Sequence, residues 1–364
     1  MWKKYFNYRG QRDINTMGNT NKKNQGQELI EEVLHIFYLP SQKFSLSKIT
    51  TGFVNTTYLV NTPSSKFVLR QSNPHKTLKH LQLETELLEY LKKEHFAYTA
   101  RIMPNIKGHN ITKYKGHYFT LQTFIKGSIK ASWQDVRGYT TPIGKNHFKA
   151  SALFSLTAKN FPKTKELPNT GIEFQLKTAF KKLPVLLKKA PEDLLIKKLC
   201  LQKSWLLQLT KETQTALKKF NYSKLPKQLV HFDLHPGNFH FVDNRVSGLF
   251  DFDWIRLDSR LADIASTIGQ SCYETSGPRR AKYDKRKIQT GLKAYSAALQ
   301  KNNQLSPTEI RLLPWVLKGY MIFQLLWTLE WYITNYKEPK AALYLQFFFD
   351  ILKQNDFNKL FNKF

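Results

Sequence analysis

The sequence predicts an α+β chain of two lobes: a small antiparallel β-rich lobe with one embedded helix, then a larger, mostly helical lobe. Three observations carry the prediction. Short β-branched and aromatic runs separated by turn residues fill residues 44 to 124, with one strong helical stripe among them. After Gly127 the apolar spacing becomes helical and stays so nearly to the end. One interruption, His231 to Trp254, reads HFDLHPGNFHFVDNRVSGLFDFDW and returns to strands around a loop. The chain has 364 residues, too many for one ordinary core, and its 41% hydrophobic and 14% aromatic content excludes widespread disorder.

Residues 1–26 are polar and aperiodic, a flexible tail by expectation. The first lobe is expected over 27–126. It opens with a helix at Gln27–Leu39, striped by Leu29, Ile30, Val33, Leu34 and Phe37 and ended by Pro40. A strand at Phe44–Ile49 precedes a turn around Gly52, which leads into a second strand reaching Val60. After the Asn61–Ser65 turn, Lys66–Gln71 is a strand with Lys66, Val68 and Arg70 on one face and Phe67 and Leu69 on the other. Leu78–Lys93 is a helix whose stripe runs through Leu81, Leu87, Leu88 and Leu91. Glu84 falls on that stripe, where an acid needs a partner, while Glu86 and Glu89 face solvent. Strands at Ile111–Tyr114 and Tyr118–Phe124 complete the lobe.

The second lobe, 127–364, is expected to hold helices at Phe148–Ala158, Phe174–Leu183, Pro191–Leu201 and Trp205–Phe220 before the central stretch. After it come Leu261–Ile268, Tyr283–Gln300, Pro307–Tyr336 and Ala341–Leu352. Ser306-Pro307-Thr308-Glu309 combines a cap, proline at the first helical position and a reciprocal Glu, and Pro314 is expected to kink or split the helix that follows.

Lys and Arg number 57 against 27 acids, a formal charge of +30. Such a surface permits polyanionic partners and requires none; the plainer reading is a solvated basic exterior. The lysine-rich helices at 177–219 carry no recognition motif or interleaved aromatics, so no specific nucleic acid is expected. Cys200 and Cys272 lack metal-like spacing, which fits a reducing, cytoplasmic setting. No apolar run follows Lys3 and Lys4, so no secretory signal is read there. Tyr320–Ile333 is interrupted by Gln324 and Glu330 and reads as a buried helix, not a membrane span. Trp315, Trp327, Trp331 and Tyr332 read as core in preference to a cation-binding cage.

The chemistry concentrates in His231-x-Asp233-x-x-x-x-Asn238, where Pro236 and Gly237 favour a loop. Phosphoryl transfer needs a carboxylate to orient a hydroxyl and accept its proton, with oxygen ligands for magnesium close by. Asp233 suits the first role and Asn238 the second. A strand at Phe239–Val242, a turn at Asp243-Asn244 and a return strand at Val246–Phe250 bring Asp251 back beside Asn238 as a second metal ligand. The HxDxxxxN spacing alone arises by chance, and loop Asp and Asn often only cap turns. The hairpin ending in Asp251-Phe252-Asp253 argues against coincidence.

LVHFDLHPGNFHF and GLFDFDW resemble the hallmark of the aminoglycoside phosphotransferase and choline kinase-like family, small-molecule kinases related to the protein kinases. Arg260-Leu261-Ala262-Asp263-Ile264-Ala265 is similar to the helix start whose Asp buttresses the catalytic loop in that family. The resemblance covers pieces of residues 45–270 and implies the bilobal protein-kinase-like fold, ATP and Mg²⁺ as cofactors, and a small-molecule hydroxyl acceptor. It implies further that Thr51–Val60 is the nucleotide loop with Asn55 in its family place, and that Arg70 is the phosphate-binding cation, with Lys66 as fallback. Glu84 would pair with that cation, and Leu121–Gly127, with Gln122 and Phe124, would be the hinge that binds adenine. His231 would hold the loop. His235 is read as a surface residue and Asp253 as subordinate to Asp251. The chain departs from protein kinases in having Arg70 for Lys, no G-x-G-x-x-G, no Asp-Phe-Gly and no Ala-Pro-Glu, which disfavours a switchable protein kinase.

The expected function is an ATP-dependent phosphotransferase acting on a hydroxyl of an amino sugar, sugar, homoserine or amino alcohol. The alternative is a catalytically inactive kinase-fold binding or assembly protein, spore-coat-like, motivated by the thin nucleotide loop and the charge of +30.

Overall fold

The computed structural model describes residues 28–37, 39, 43–49, 55–132, 135–190, 192–274, 281–335 and 338–362. The expected tail and the Gly52 turn lie outside them. The described residues form two compact units, one reaching Lys126 and one starting at Gly127.

The first unit is an antiparallel sheet with two helices. Helix α1 (28–34) is shorter than its stripe suggests, because the chain turns at His35 and Ile36 and Phe37 bridges to Asn105. The strands are β1 (Ser45–Ile49), β2 (Thr56–Asn61), β3 (Lys66–Gln71), β4 (Ile102–Met103), β5 (Thr112–Tyr114) and β6 (His117–Thr123). Their order is β1-β2-β3-β6-β4, with β5 paired to β6. Strand alternation places Phe67 and Leu69 in a core with Val33, Leu34, Phe119 and Leu121. Helix α2 (Leu78–Lys93) starts at Thr77, whose side chain accepts from the His80 N–H, and buries Leu81, Leu87, Leu88 and Leu91 together with Glu84. The two-residue strand β4 gave no periodic signal at that length.

In the second unit α3 (Thr141–Ala158) and α4 (Ile172–Leu187) precede α5 (Leu194–Leu201) and α6 (Lys203–Lys219). Strands β7 (Gln228–Val230) and β10 (Arg256–Asp258) pair antiparallel, as do β8 (Phe239–Val242) and β9 (Arg245–Leu249). Helices α7 (Leu261–Gly269), α8 (Lys285–Ala298), α9 (Pro307–Thr334) and α10 (Pro339–Gln354) follow. Helix α9 runs through the middle and packs against α4, α6, α7 and α10. It is apolar and long enough to cross a membrane, but most of its apolar stretch is buried inside the unit, as a core helix requires. Pro314 does not split it. The expected capping box is present: the Glu309 N–H donates to Ser306 Oγ, and the Ser306 N–H donates back to Glu309 Oε2.

The β8–β9 hairpin is fastened to the start of the unit. The Ser128 N–H donates to Phe241 O at 3.1 Å and the Phe241 N–H to Ser128 O at 2.9 Å. Gly127, at φ +139°, approaches so closely that a Cβ there would stand 2.5 Å from Ser247 Oγ.

Candidate active site

The polar residues singled out by sequence fall into two clusters, one in each unit. In the second unit β7 delivers the chain into a tight loop. Phe232 sits at φ 67°, a left-handed conformation that is costly for a bulky side chain. The carboxylate that holds it there comes from the first turn of α7. Asp263 accepts the Phe232 N–H on Oδ1 at 2.7 Å and the His231 N–H on Oδ2 at 3.1 Å. Burial pushes the Asp263 carboxyl up to about 7, against the two backbone donors. Ser266, one turn on, accepts the Leu234 N–H at 2.8 Å.

That scaffold aims Asp233. Gln270 Nε2 donates to Asp233 Oδ1 at 3.0 Å, and Asn238 Nδ2 donates to the Asp233 carbonyl at 2.8 Å and to Oδ2 at 3.3 Å. Gln270 Nε2 also donates to Tyr320 Oη at 2.7 Å, and that hydroxyl donates to Phe232 O at 3.2 Å. His235 is not on the open surface as expected. Its Nδ1 accepts the Gly237 N–H at 3.0 Å, which puts the hydrogen on Nε2, 3.7 Å from Asp233 Oδ2. Burial lowers the His235 pKa against the pull of Asp233. His231 is fully buried, with Nε2 3.0 Å from the Phe250 carbonyl, and burial holds its pKa down to about 4. It is therefore a neutral fastening between loop and hairpin, neither acid nor base at neutral pH.

The Phe250 N–H donates to Asn238 O at 2.9 Å, tying the end of β9 to the loop, and Asp251 follows at φ 63°. Asn238 has turned its amide nitrogen to Asp233, so its Oδ1 is the atom it can offer a cation. Among the described residues no group of three or more His, Cys, Asp or Glu is placed to hold a metal ion. An Asn–Asp pair without a third such ligand suits Mg²⁺, which keeps water and takes phosphate oxygens, and does not suit a structural zinc site.

In the first unit Glu84 is buried between two cations. Arg70 Nη1 stands 2.5 Å from Oε1 and Lys76 Nζ 3.1 Å from Oε2. The fallback cation Lys66 is exposed and lies over the Phe124 ring at 5.8 Å. Asn55 Oδ1 accepts the Asn73 N–H at 3.1 Å and so ties the entry of β2 to the exit of β3. Gln122 is buried and paired on both sides, with Val68 and Ile102. The Phe124 N–H donates to Lys66 O at 3.1 Å, so an adenine contact there would fall to the Phe124 carbonyl.

The late aromatics are mostly core or packed on one another: Trp327 lies 5.4 Å from Trp331, which lies 5.6 Å from Tyr344. Rings of the kind a cage would need already carry cations of the chain itself, Arg256 at 3.9 Å from Phe232 and 5.3 Å from Trp254, and Lys318 at 4.4 Å from Trp315.

The model of the phosphotransferase enzyme family matches residues 45–297 of this chain. The chain belongs to that family. Its curated relatives include a homoserine kinase of Parvibaculum lavamentivorans, 33% identical over 95 residues, which are 26% of this chain and 27% of that protein. Another, from a Methylobacterium species, is 32% identical over 108 residues, 29% of this chain and 31% of that protein. The chain thus matches about a third or less of the length of these curated relatives. Among solved structures, amicoumacin kinase hAmiN in complex with AMP-PNP, Ca²⁺ and Ami superposes with a TM-score of 0.67 at 16% identity, covering 93% of this chain and 99% of that one. A Plasmodium vivax ethanolamine kinase gives 0.64 at 16% identity, covering 94% and 91%. At such identities these two establish the fold, which is the bilobal α+β one expected.

Two residues of these clusters, one in each unit, went unread in the sequence. Gln270 had a signal: Asp263, Ser266 and Gln270 are spaced three and four residues apart, one face of a helix. Lys76 had none, since it sits in the irregular segment before α2 and its partner Glu84 already had a cation assigned.

Proposed function

We propose that this protein is a kinase of small molecules, which passes the γ-phosphoryl group of ATP to a hydroxyl with Mg²⁺ as its metal. One observation carries the reading. The Asp233 carboxylate is gripped by the amide nitrogens of Gln270 and Asn238, neutral donors that fix its direction without placing a countercharge on it. That suits a group which must align a hydroxyl and take its proton as the oxygen attacks phosphorus. Asn238 and Asp251 are the proposed metal ligands, and the ion supplies positive charge against the transferring phosphoryl group. Arg70, a permanently charged fork steadied by Glu84, is the proposed phosphate cation; Asn55, Gln122 and Phe124 are proposed to line the nucleotide.

For the acceptor we put a hydroxy amino acid of the homoserine kind first. The curated relatives are homoserine kinases, and Arg256 and Lys318 already stand over rings that a choline-like cation would need. The cytoplasm is the proposed location, in keeping with free Cys200 and Cys272. The test is an ADP-release assay with Mg-ATP against homoserine, an amino alcohol and an aminoglycoside, with Asp233→Asn as control. Release with homoserine that disappears in the variant is expected. A thermal-shift titration runs beside it, since a ligand at about a hundred times its Kd stabilises by about 2.7 kcal/mol. No release and no shift with Mg-ATP would defeat the kinase reading in favour of a non-catalytic binding protein.

A further inference from the structure

Part of the charge left unexplained by the proposed chemistry lies on one side of the second unit. Residues 174 to 203 contain eight lysines and only two acids, Glu192 and Asp193. Neither acid offsets the lysines around it freely. Asp193 caps α5 through the Leu195 and Ile196 N–H groups and accepts the Tyr332 hydroxyl, while Glu192 pairs with Lys197.

The same side exposes large aliphatic residues where a solvated helix would carry polar ones. On α5, Leu194 is 83% and Leu201 84% exposed, while Ile196 and Leu199 fill the core. The spacing Leu194, Lys197, Lys198, Leu201 is three, four and seven residues, a single stripe of the helix. Lys198 reaches Gln346 Oε1 on α10 at 3.0 Å, and Leu343, one turn before Gln346, is 70% exposed. Helix α4 lies alongside, with Cys200 Sγ 3.6 Å from Leu187 O. Its outer stripe mixes the same two kinds of residue, Lys177, Lys181 and Lys188 with a 58%-exposed Val185. Isolated exposed leucines are common and mean little. Two neighbouring helices that set aliphatic tips among lysines, with Leu343 of α10 beside them, are a different matter.

We infer that α4, α5 and α10 form a surface that rests on an anionic phospholipid bilayer, with the lysines at the depth of the headgroup phosphates and Leu194 and Leu201 dipping into the acyl boundary. Lysines beside exposed aliphatics are the composition of helices that lie in a membrane interface. A nucleic acid would use the lysines and the exposed Phe174 and Phe180 rings of α4 but leave Leu194, Leu201 and Leu343 in water, although these are the most exposed apolar groups of the surface. A second copy of the chain would set one lysine field against another. The inference does not depend on the proposed catalytic reading, and α9 stays a core helix within it.

Vesicle flotation of the full chain tests it. Vesicles of phosphatidylcholine mixed with phosphatidylglycerol should carry the protein upward, vesicles of phosphatidylcholine alone should not, and added salt should release it. Lys188→Gln with Lys189→Gln should lower the partition by about fivefold per lysine removed. Leu194→Ser with Leu201→Ser should lower it about tenfold or more while the melting temperature, read by circular dichroism, stays put. Absence of flotation with the anionic vesicles overturns the inference. So does flotation unaffected by the leucine pair, the outcome of a surface that binds any polyanion, including a DNA duplex, by charge alone. A native dimer in sedimentation that the leucine pair converts to monomer overturns it in favour of self-association.

Discussion

The two polar clusters are built on opposite plans. In the first unit a buried carboxylate, Glu84, is held by two full charges, Arg70 and Lys76. In the second a partly exposed carboxylate, Asp233, is held by two amides and approached by a neutral imidazole. Charges at the end of long side chains make a strong but forgiving contact, able to shift with a charged ligand. Amides on a strained loop make a weaker contact with a fixed direction. The difference suits the proposed roles, one cluster for phosphate charge and the other for aiming a single oxygen.

The largest effect expected is on turnover. Asp233→Asn keeps the shape of the side chain and removes the proton acceptor, so phosphoryl transfer should fall by about 10³-fold while Mg-ATP still raises the melting temperature. A variant that still turns over at more than a tenth of the native rate would remove Asp233 from the chemistry. The next effect is on stability. Glu84→Ala removes the carboxylate that Arg70 and Lys76 share, and the Lys76 side chain is only 1% exposed. Breaking a buried pair at one end costs about 3 kcal/mol, so denaturant unfolding should lose about that much. Lys76→Met should cost less, because Arg70 remains on Glu84. Equal losses in the two variants would show that Lys76, not Arg70, is the partner that holds Glu84.

The same contrast explains what could be read beforehand. Asp233, Asn238 and Asp251 were legible because local chain geometry joins them: a loop with Pro236 and Gly237, then a short hairpin. Arg70 and Glu84 were legible one step less directly, through strand alternation and the misfit of an acid on an apolar stripe. Gln270 meets Asp233 from 37 residues away and Tyr320 meets Phe232 from 88, and contacts at that separation are set by packing of α7 and α9, which no local pattern encodes. His235 was misplaced for the same reason. A histidine in a turn is usually solvated, but here the loop folds back under Asp263 and half-buries it. Helix ends shifted by a few residues wherever caps decided them: α5 begins after Asp193, whose carboxylate takes two N–H groups, and not at Pro191.

A smaller effect separates aiming from charge. Gln270→Leu removes one neutral donor from Asp233 and leaves its charge alone. Turnover should fall about tenfold with little change in KM for nucleotide, because only the alignment of the hydroxyl suffers. A Gln270→Leu enzyme with native kcat would reduce this contact to packing.

The smallest expected effect is the pH dependence of stability, and it turns on a sign. His231 and His147 are buried and held down to about 4 and about 3 from an ordinary 6.5. Below 6.5 the unfolded chain binds protons that the folded chain refuses, so these two make stability rise with pH from about 4 to about 6.5. Asp263 is raised by burial to about 7 from an ordinary 3.8. Between those values the folded chain holds a proton that the unfolded chain has lost, so its contribution makes stability fall as pH rises. Two histidines against one aspartate leave about one net proton, worth about 1.4 kcal/mol per pH unit, on the rising side below 6.5, and His235, lowered by burial, steepens that rise. Above 6.5 the contribution of Asp263 continues, and the curve should turn down toward 7. Melting temperature against pH should therefore peak near 6.5, and His147→Gln should flatten the rise by removing one of the two histidines. A native curve that falls steadily from pH 4 to 6.5 would mean that the fastening of the loop through Asp263 outweighs the buried imidazoles.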